Sequence, residues 1–446
     1  MRYQIFKFAG MVVLTNIFTV MNINAANQFM DYFMPTPVTG SMSSTCWGAA
    51  QVGPRDQSNG LEDSTLAKYV YWDGGILKSD STYYMFAARW DQTLGHNGWM
   101  SGSKAVWATS KNLYGPYTDQ GYCFTDNGSA GHNVNVIKLK SGDPCGYAYG
   151  MTLSGAVAGS GRAYGANSLS GPWKYIGNFT LDMNGYSGIF SVNDNFRTFL
   201  GPDNKYHCLC DRIGIADNFM GPYKCQQSNG FCNSVSGSPT VNMEDPYQFY
   251  SGGKYHVLMN CWSSATAYSY TSADGVKFTM DKGYAYQPSA NCTRYTNGTV
   301  NHWKLLERPF AYIENGHVVA FTFAAINVEK ADDKANDKNG SKVIVVPFDG
   351  ASFDSGVAPG TVPVIWKPLL PAGNTIMIPG LGVFNVEGAT NRERVRFSNL
   401  LGQNLLELPI ASGKVAGTCA FPRGFYLMCF YGKERIASRS YKVLIR

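Results

Sequence analysis

Carboxylates at the mouths of alternating strands are the residues of this chain best suited to chemistry. The stretch from Glu244 to Asn260 reads EDPYQFYSGGKYHVLMN. Two acids, an alternating strand, a Gly-Gly turn and a returning strand make a hairpin with carboxyls at its inner end. Related hairpins open at Asp73, at His132-Asn133, at Asn193-Asp194 and at Glu307-Arg308, so acids open four of the five in a chain with only 31 acids. A single acid at a strand start is ordinarily a turn cap that accepts backbone N–H bonds. Several acids converging on one cavity do something else. Crowded carboxyls push one another's pKa values apart, so that one stays protonated near neutral pH while another is ionised. A protonated carboxyl that donates to a leaving oxygen, beside an ionised one that activates water or attacks carbon, is the pair that cleaves a glycosidic bond.

Those hairpins must be held in a ring for their acids to meet. The openings at 73, 133, 194, 244 and 307 lie roughly 50–60 residues apart, a spacing that fits propeller blades. Innermost propeller strands start near the axis, which brings their first residues to one cavity. Three Gly-Pro-aromatic turns fall at matching offsets: Gly115-Pro116-Tyr117, Gly171-Pro172-Trp173 and Gly221-Pro222-Tyr223. The fourth repeat closes instead with SADGVKF, Ser272 to Phe278. The fifth carries a charged insertion, Glu329 to Lys342, read as a solvated hairpin loop. The expected fold class is all-β: a five-bladed β-propeller over 27–350, a Pro- and Gly-rich linker over 351–376 and a small C-terminal β-sandwich over 377–446. The turn-rich segment from 27 to 62 is expected to add a strand to the last blade and close the ring.

Composition agrees with many short strands. Glycine numbers 49, aromatics make up 14% and charged residues 15%. The formal charge of +6 is spread without a basic run, which argues against nucleic-acid binding. Residues 1–26 carry Arg2 and Lys7, an apolar run from Phe8 to Met21, and Ala25-Ala26. That is a signal-peptide pattern, too short and interrupted for a membrane span, and it predicts a secreted or cell-surface protein. Eleven cysteines suit an oxidising compartment, and none has the spacing of a structural zinc site. Cys225 with Cys232, and Cys419 with Cys429, are expected as local disulfides, whereas Cys208 and Cys210 share one strand face and do not pair.

The opening residues carry a family resemblance. Asp73-Gly74-Gly75-Ile76-Leu77, followed by Thr82-Tyr83-Tyr84-Met85-Phe86, resembles the first-blade motif of glycoside hydrolase family 43. Glu244-Asp245-Pro246, followed by Gly252-Gly253-Lys254-Tyr255-His256-Val257-Leu258, resembles its fourth-blade motif. The resemblance implies Asp73 as general base, Glu244 as general acid and Asp194 as the carboxylate that tunes the acid. It implies inversion at the anomeric carbon, with carboxyls roughly 6.5–9.5 Å apart. Asn195 stands where the family has proline, and the second blade opens with His132-Asn133-Val134-Asn135 rather than the family's tryptophan-containing motif. The fifth opens with Glu307-Arg308-Pro309, so a wider relative is implied, and Glu307 is an alternative to Asp194. The tail resembles the sorting domain of type IX secretion cargo, on Val395-Arg396-Phe397-Ser398-Asn399-Leu400-Leu401-Gly402-Gln403, on Pro422-Arg423-Gly424-Phe425-Tyr426-Leu427 and on Lys442-Val443-Leu444-Ile445. This implies secretion machinery as a partner.

The expected reaction is hydrolysis of a plant or algal polysaccharide by a monomer that needs no cofactor, with room for a structural calcium ion. The open alternatives are a non-catalytic carbohydrate-binding propeller, and a lyase or phosphorylase on the same fold. Asp73, Glu244 and Asp194 are the catalytic candidates. His132, Asn133, Glu307, Arg308, Trp90 and His96 are the candidates for substrate binding, although for Trp90 and Trp303 inter-blade core is the safer reading. Trp99 is placed at the pocket rim, and His302 is an alternative acid. Asp245, next to Glu244, alternates to the other face and reads as structural. The single Ser272-Ala273-Asp274-Gly275 turn resembles a sialidase Asp-box.

Overall fold

The computed structural model describes residues 27–360, except 127–130, 155–160, 189, 191–194, 336 and 337, together with strands between 376 and 445. Four-stranded antiparallel sheets form blade one (Tyr69–Ser79, Thr82–Asp91, Lys104–Ser110, Thr118–Tyr122) and blade two (His132–Lys138, Tyr149–Ser154, Arg162–Ala166, Lys174–Asn178). Blade three runs Arg197–Leu200, Tyr206–Leu209, Ile213–Ala216 and Tyr223–Cys225, with Leu181–Asp182 added parallel to its outer strand. Blade four runs Met243–Ser251, Lys254–Cys261, Thr266–Ser272 and Thr279–Met280. Blade five has three strands, Leu305–Glu314, His317–Ile326 and Ser341–Pro347. The first strands touch in the cyclic order one, two, three, four, five and back to one. That closure is a five-bladed propeller.

Burial follows the radius. Leu305–Glu314 and His317–Ile326 are buried along almost their whole length, because blades pack on both of their faces. Thr118–Tyr122, outermost in blade one, alternates exposed and half-buried, the pattern of a one-sided strand. Each Gly-Pro-aromatic turn joins the third and fourth strands of its blade, and all three Gly-Pro bonds are cis. Gly115 has φ 99°, and a Cβ there would meet the Ser58 carbonyl oxygen at 2.5 Å, so glycine is required.

The N-terminal segment covers the open edge of blade five. Phe33 bridges Phe348, and Leu61 exchanges backbone bonds with Val343. The Asn59 side chain spans Val345, donating to its O at 2.9 Å and accepting from its N at 3.0 Å. Gly60 N then donates to Tyr114 O of blade one, so the segment ties the last blade to the first. Phe29, Phe33, Phe321 and Phe348 pack edge-to-face beneath it, with Phe323 tilted against Phe33. A buried trio, Arg55–Glu62–Lys342, seals the same seam.

Two expectations change. Cys225 and Cys232 are both free; the Cys225 thiol donates to Gln227 O and that of Cys232 lies 3.3 Å from Met259 Sδ. The insertion after Glu329 is solvated along its middle, where Ala331, Asp332, Lys334, Ala335 and Lys338 are exposed, but its two ends turn inward. Lys330 pairs with Glu307 and Lys342, 1% exposed, pairs with Glu62, while Asp333 is 5% exposed and its Oδ1 is buried without a hydrogen-bond partner. The region expected to begin the linker opens with a helical turn, Gly350–Asp354. Strands of the tail pair antiparallel in one seven-stranded run. Residues 1–26, 361–375 and the Cys419 side of the second expected disulfide lie outside the described residues.

Candidate active site

Innermost strands of four blades carry one extra residue at the same depth. Trp72 pairs with Ala88 and Gly75 with Phe86; His132 pairs with Ser154 and Asn135 with Thr152. Glu244 pairs with Asn260 and Tyr247 with Leu258; Glu307 pairs with Ala324 and Phe310 with Thr322. Three steps on the inner strand answer two on its neighbour, which is a β-bulge. By this register Trp72, His132, Glu244 and Glu307 are equivalent, and so are Asp73, Asn133, Asp245 and Arg308. The second set all have positive φ, at 69°, 54°, 52° and 52°. Asp and Asn tolerate that region, but for Arg it costs about 1 kcal/mol or more.

What holds Arg308 there is the other blades. Its Nε donates to Asp73 Oδ1 at 2.8 Å, and Nη1 donates to Asp245 Oδ1 at 2.7 Å and to Asn195 Oδ1 at 3.3 Å. Asp73 Oδ2 accepts from Val134 N at 2.9 Å. One guanidinium and one carboxylate thus join all five blades at the axis, with Arg308 1% and Asp73 2% exposed. Asp245 does not alternate away as its strand position suggests. The bulge turns both Glu244 and Asp245 inward, and Asp245 is 5% exposed. Burial opposes its ionisation, but Arg308 and Arg197 outweigh that and hold its carboxyl below the usual range.

Around this hub the remaining carboxyls separate. One oxygen from each of Glu244, Asp245 and Glu307 lies within 4.8 Å of the others. Glu244 is half-exposed, and its pKa is raised to about 7, first by burial and then by the charges of Asp245 and Glu307. Glu307 is buried and also raised, by burial first, against the pull of Lys330, whose Nζ lies 2.6 Å from Oε2. Lys330 Nζ also stands 5.5 Å from the Trp72 ring. Such a carboxylate trio would suit a hard divalent cation, although Lys330 and Arg308 already bring positive charge to two of its members. Two neighbouring atoms, Glu307 Oε1 and Arg308 Nη2, are buried with no hydrogen-bond partner.

His132 is buried with Nδ1 3.2 Å from Ser103 Oγ, whose own proton goes to Gly131 O at 2.7 Å. Nδ1 is therefore the donor and Nε2 the acceptor. Burial lowers its pKa to about 4, so it is neutral at ordinary pH. It stacks on Trp99 at 5.0 Å. Asn133 is buried beside it. His96 packs edge-on to Trp72 at 5.1 Å, 6% exposed, rather than facing an open pocket. Trp90 offers no ring face to a sugar: it is 1% exposed and its Nε1 donates to Gly95 O. Trp303 is likewise core, 6.0 Å from Trp47. His302 is exposed and lies outside the carboxylate cluster. Asp194 lies outside the described residues. Asp245, Lys330, Asn195 and Arg197 are the site residues that alternation and charge runs do not reveal. The bulge signal available beforehand was the shared Glu-x-Pro of Glu244-Asp245-Pro246 and Glu307-Arg308-Pro309.

No family profile and no curated protein matches this chain. Among solved structures it is similar to a family 117 glycoside hydrolase from the marine bacterium Zobellia galactanivorans. The two are 14% identical with a TM-score of 0.45, over 66% of this chain and 88% of that one. A family 43 β-xylosidase/α-arabinofuranosidase from a compost microbial metagenome is 11% identical with a TM-score of 0.42, over 65% and 94% of the two chains. The catalytic domain of a Coprinopsis cinerea family 62 α-L-arabinofuranosidase is 11% identical with a TM-score of 0.44, over 72% and 98%. With TM-scores below 0.5, the five-blade architecture rests on the strand order and cyclic contacts of this chain itself.

Proposed function

We propose that this protein is a glycoside hydrolase acting on plant or algal polysaccharide, with Glu244 as proton donor and Asp73 as the carboxylate that activates water. The observation that carries the reading is the division of labour among the axial carboxyls. Glu244 is the half-open member and holds its proton up to about pH 7, whereas Asp73 is buried against a guanidinium. Each Asp73 oxygen accepts one bond, from Arg308 or from Val134 N, which leaves each a lone pair for the proton of an attacking water. Water adds to the anomeric carbon as the C–O bond breaks; its proton passes to Asp73, and Glu244 gives its proton to the departing oxygen. The outcome is inversion. Glu307 Oε1 and Arg308 Nη2, buried and unpartnered, suit the hydroxyls of a ring seated at that depth, and a sugar lacking them would leave the pair unsatisfied.

A panel of aryl glycofuranosides and glycopyranosides tests this. Asp73→Asn and Glu244→Gln should each lose roughly 10²–10⁴-fold in kcat. Full activity in either variant overturns the assignment. A second reading, a carbohydrate-binding propeller without turnover, draws on the engagement of both Asp73 oxygens. It predicts binding with no free reducing end released. We also propose that the tail is an export signal, which the sorting-domain motifs support; deleting 377–446 should retain the protein inside the producing cell.

A further inference from the structure

Between blades four and five lies a hollow of about 450 Å³. His302, Trp303 and Lys304 form one wall, immediately before the strand that carries Glu307. His302 N donates to Val52 O and Lys304 N to Ile326 O, so that wall is fixed on two sides. Gln51, Gln287 and Asn327 complete the polar rim. The opposite wall includes Ser264 and Ala265, in the turn that follows Lys254–Cys261. That same turn carries Trp262, 52% exposed, with its backbone N bonded to Asn242 O. Among the described residues Trp262 is the most exposed aromatic, and it shares its turn with two residues that line the hollow, so an open indole face adjoins a polar hollow.

Register ties this surface to the chemistry. Lys304 is three residues from Glu307, and Asn260, the partner of Glu244, is two residues from Trp262. At about 3.3 Å per residue these are reaches of roughly 7–10 Å along the strands, which is beyond one ring held by the acids but within reach of the next units of a chain. Trp262 N is bonded to Asn242 O, two residues before Glu244, so this turn lies at the strand end that carries the proposed proton donor, the group that meets the leaving oxygen. The chemistry of the surface is neutral. Lys304, the one charged rim residue, is paired with Glu329 at 2.6 Å, and the remaining groups are amides, an imidazole and an indole face. Asn327, 4% exposed, donates from Nδ2 to Lys338 O, Asn339 Oδ1 and Gln51 Oε1 and accepts from Gly340 N, so it fixes the rim and leaves the exposed Gln51 to meet hydroxyls.

We propose that this hollow and Trp262 form a binding site for the neutral sugar units on the leaving-group side of the scissile bond, so that the enzyme acts on chains rather than single glycosides. The site rests on the hydrolase reading but is testable without turnover. Calorimetric titration of the Glu244→Gln protein with xylohexaose, arabinohexaose and galactohexaose should show binding of at least one. Adding Trp262→Ala should weaken it about tenfold, and His302→Ala, on the other wall, should weaken it as well. Tyr175→Ala, which removes another exposed aromatic (44% against 52% for Trp262) from the outermost strand of blade two, should leave it intact. Binding of none of the three, equal loss from Tyr175→Ala and Trp262→Ala, or binding of hexagalacturonate alone overturns the proposal. Failure of the hydrolase reading shows separately, as oligosaccharide binding by a wild-type protein that releases no product.

Discussion

At the residue scale the site is a problem of keeping unlike protonation states a few ångströms apart. Arg308 pairs with Asp73 and Asp245 in a buried centre and, with Arg197, holds the Asp245 carboxyl below the usual range, while burial first and then the charges of Asp245 and Glu307 hold the proton on Glu244. Hydrolysis should therefore fall as pH rises through about 7, where Glu244 loses its proton, and a pH profile of kcat/KM should show that limb. The same shift fixes a stability effect. A carboxyl whose pKa is raised on folding stabilises the fold below its unfolded value and loses that contribution as pH rises through the folded one. Glu244→Gln removes the titration, so its melting temperature should gain on wild type between about pH 4.5 and pH 7 and hold that gain above. Inactivity with no such gain would mean that Glu244 is not the crowded acid. Arg308→Met is the converse: it strands two buried carboxylates, and breaking such a pairing costs about 3–5 kcal/mol. The expected readout is a fall in melting temperature of roughly 6–15 °C, and a smaller change would place the hub charges in better-solvated surroundings than 1–2% exposure suggests.

At the element scale the blade-five insertion is what brings Lys330 to the axis. Its chain lies against the blade-one loop, where His96 N donates to Asp333 O at 3.1 Å. That approach is possible because residue 95 is glycine, with φ 61°, and a Cβ there would stand 2.4 Å from Asp333 O. Gly95→Ala should push the insertion away, draw Lys330 from Glu307 and lower kcat/KM about tenfold, with a modest loss of thermal stability. Unchanged activity would show that the insertion does not position the site. This element was also the least legible in the sequence. Its run of charges has the composition of a solvated loop, and nothing local announces that Lys330 and Lys342 have partners at Glu307 and Glu62, residues distant in the chain. The strands were legible because alternation and Gly-Pro-aromatic turns are local signals. The bulges were half legible: Glu-x-Pro repeats in blades four and five, but a one-residue insertion flips every face assignment after it, which is why Asp245 reads as outward from alternation alone.

At the scale of the whole molecule, a five-membered ring is only as stable as its last joint, and among the described residues this one is closed without a fourth strand in blade five. Residues 27–62 supply the cover, and the chain after the last strand completes it. The helical turn Gly350–Asp354 packs Phe353 onto Phe29 at 4.9 Å and onto Phe348 at 5.6 Å. Asp354 Oδ2 accepts from Ser251 Oγ of blade four at 2.7 Å and lies 2.6 Å from His317 Nδ1 of blade five. Tyr32 OH donates to Val357 O, and Gly360 N donates to Asp349 Oδ2. A domain boundary drawn at 350 from proline and glycine content thus cuts through the joint, and a boundary at 360 preserves it. Two truncated forms separate the cases. A protein of residues 27–360 should keep the melting temperature and the hydrolytic rate of the full chain. One ending at 349 loses the contacts of the half-buried Phe353 and the Asp354 bridge between blades, and should melt several degrees lower. Equal melting of the two forms would place ring closure entirely in the N-terminal segment, with Asn59 across Val345 as its principal tie.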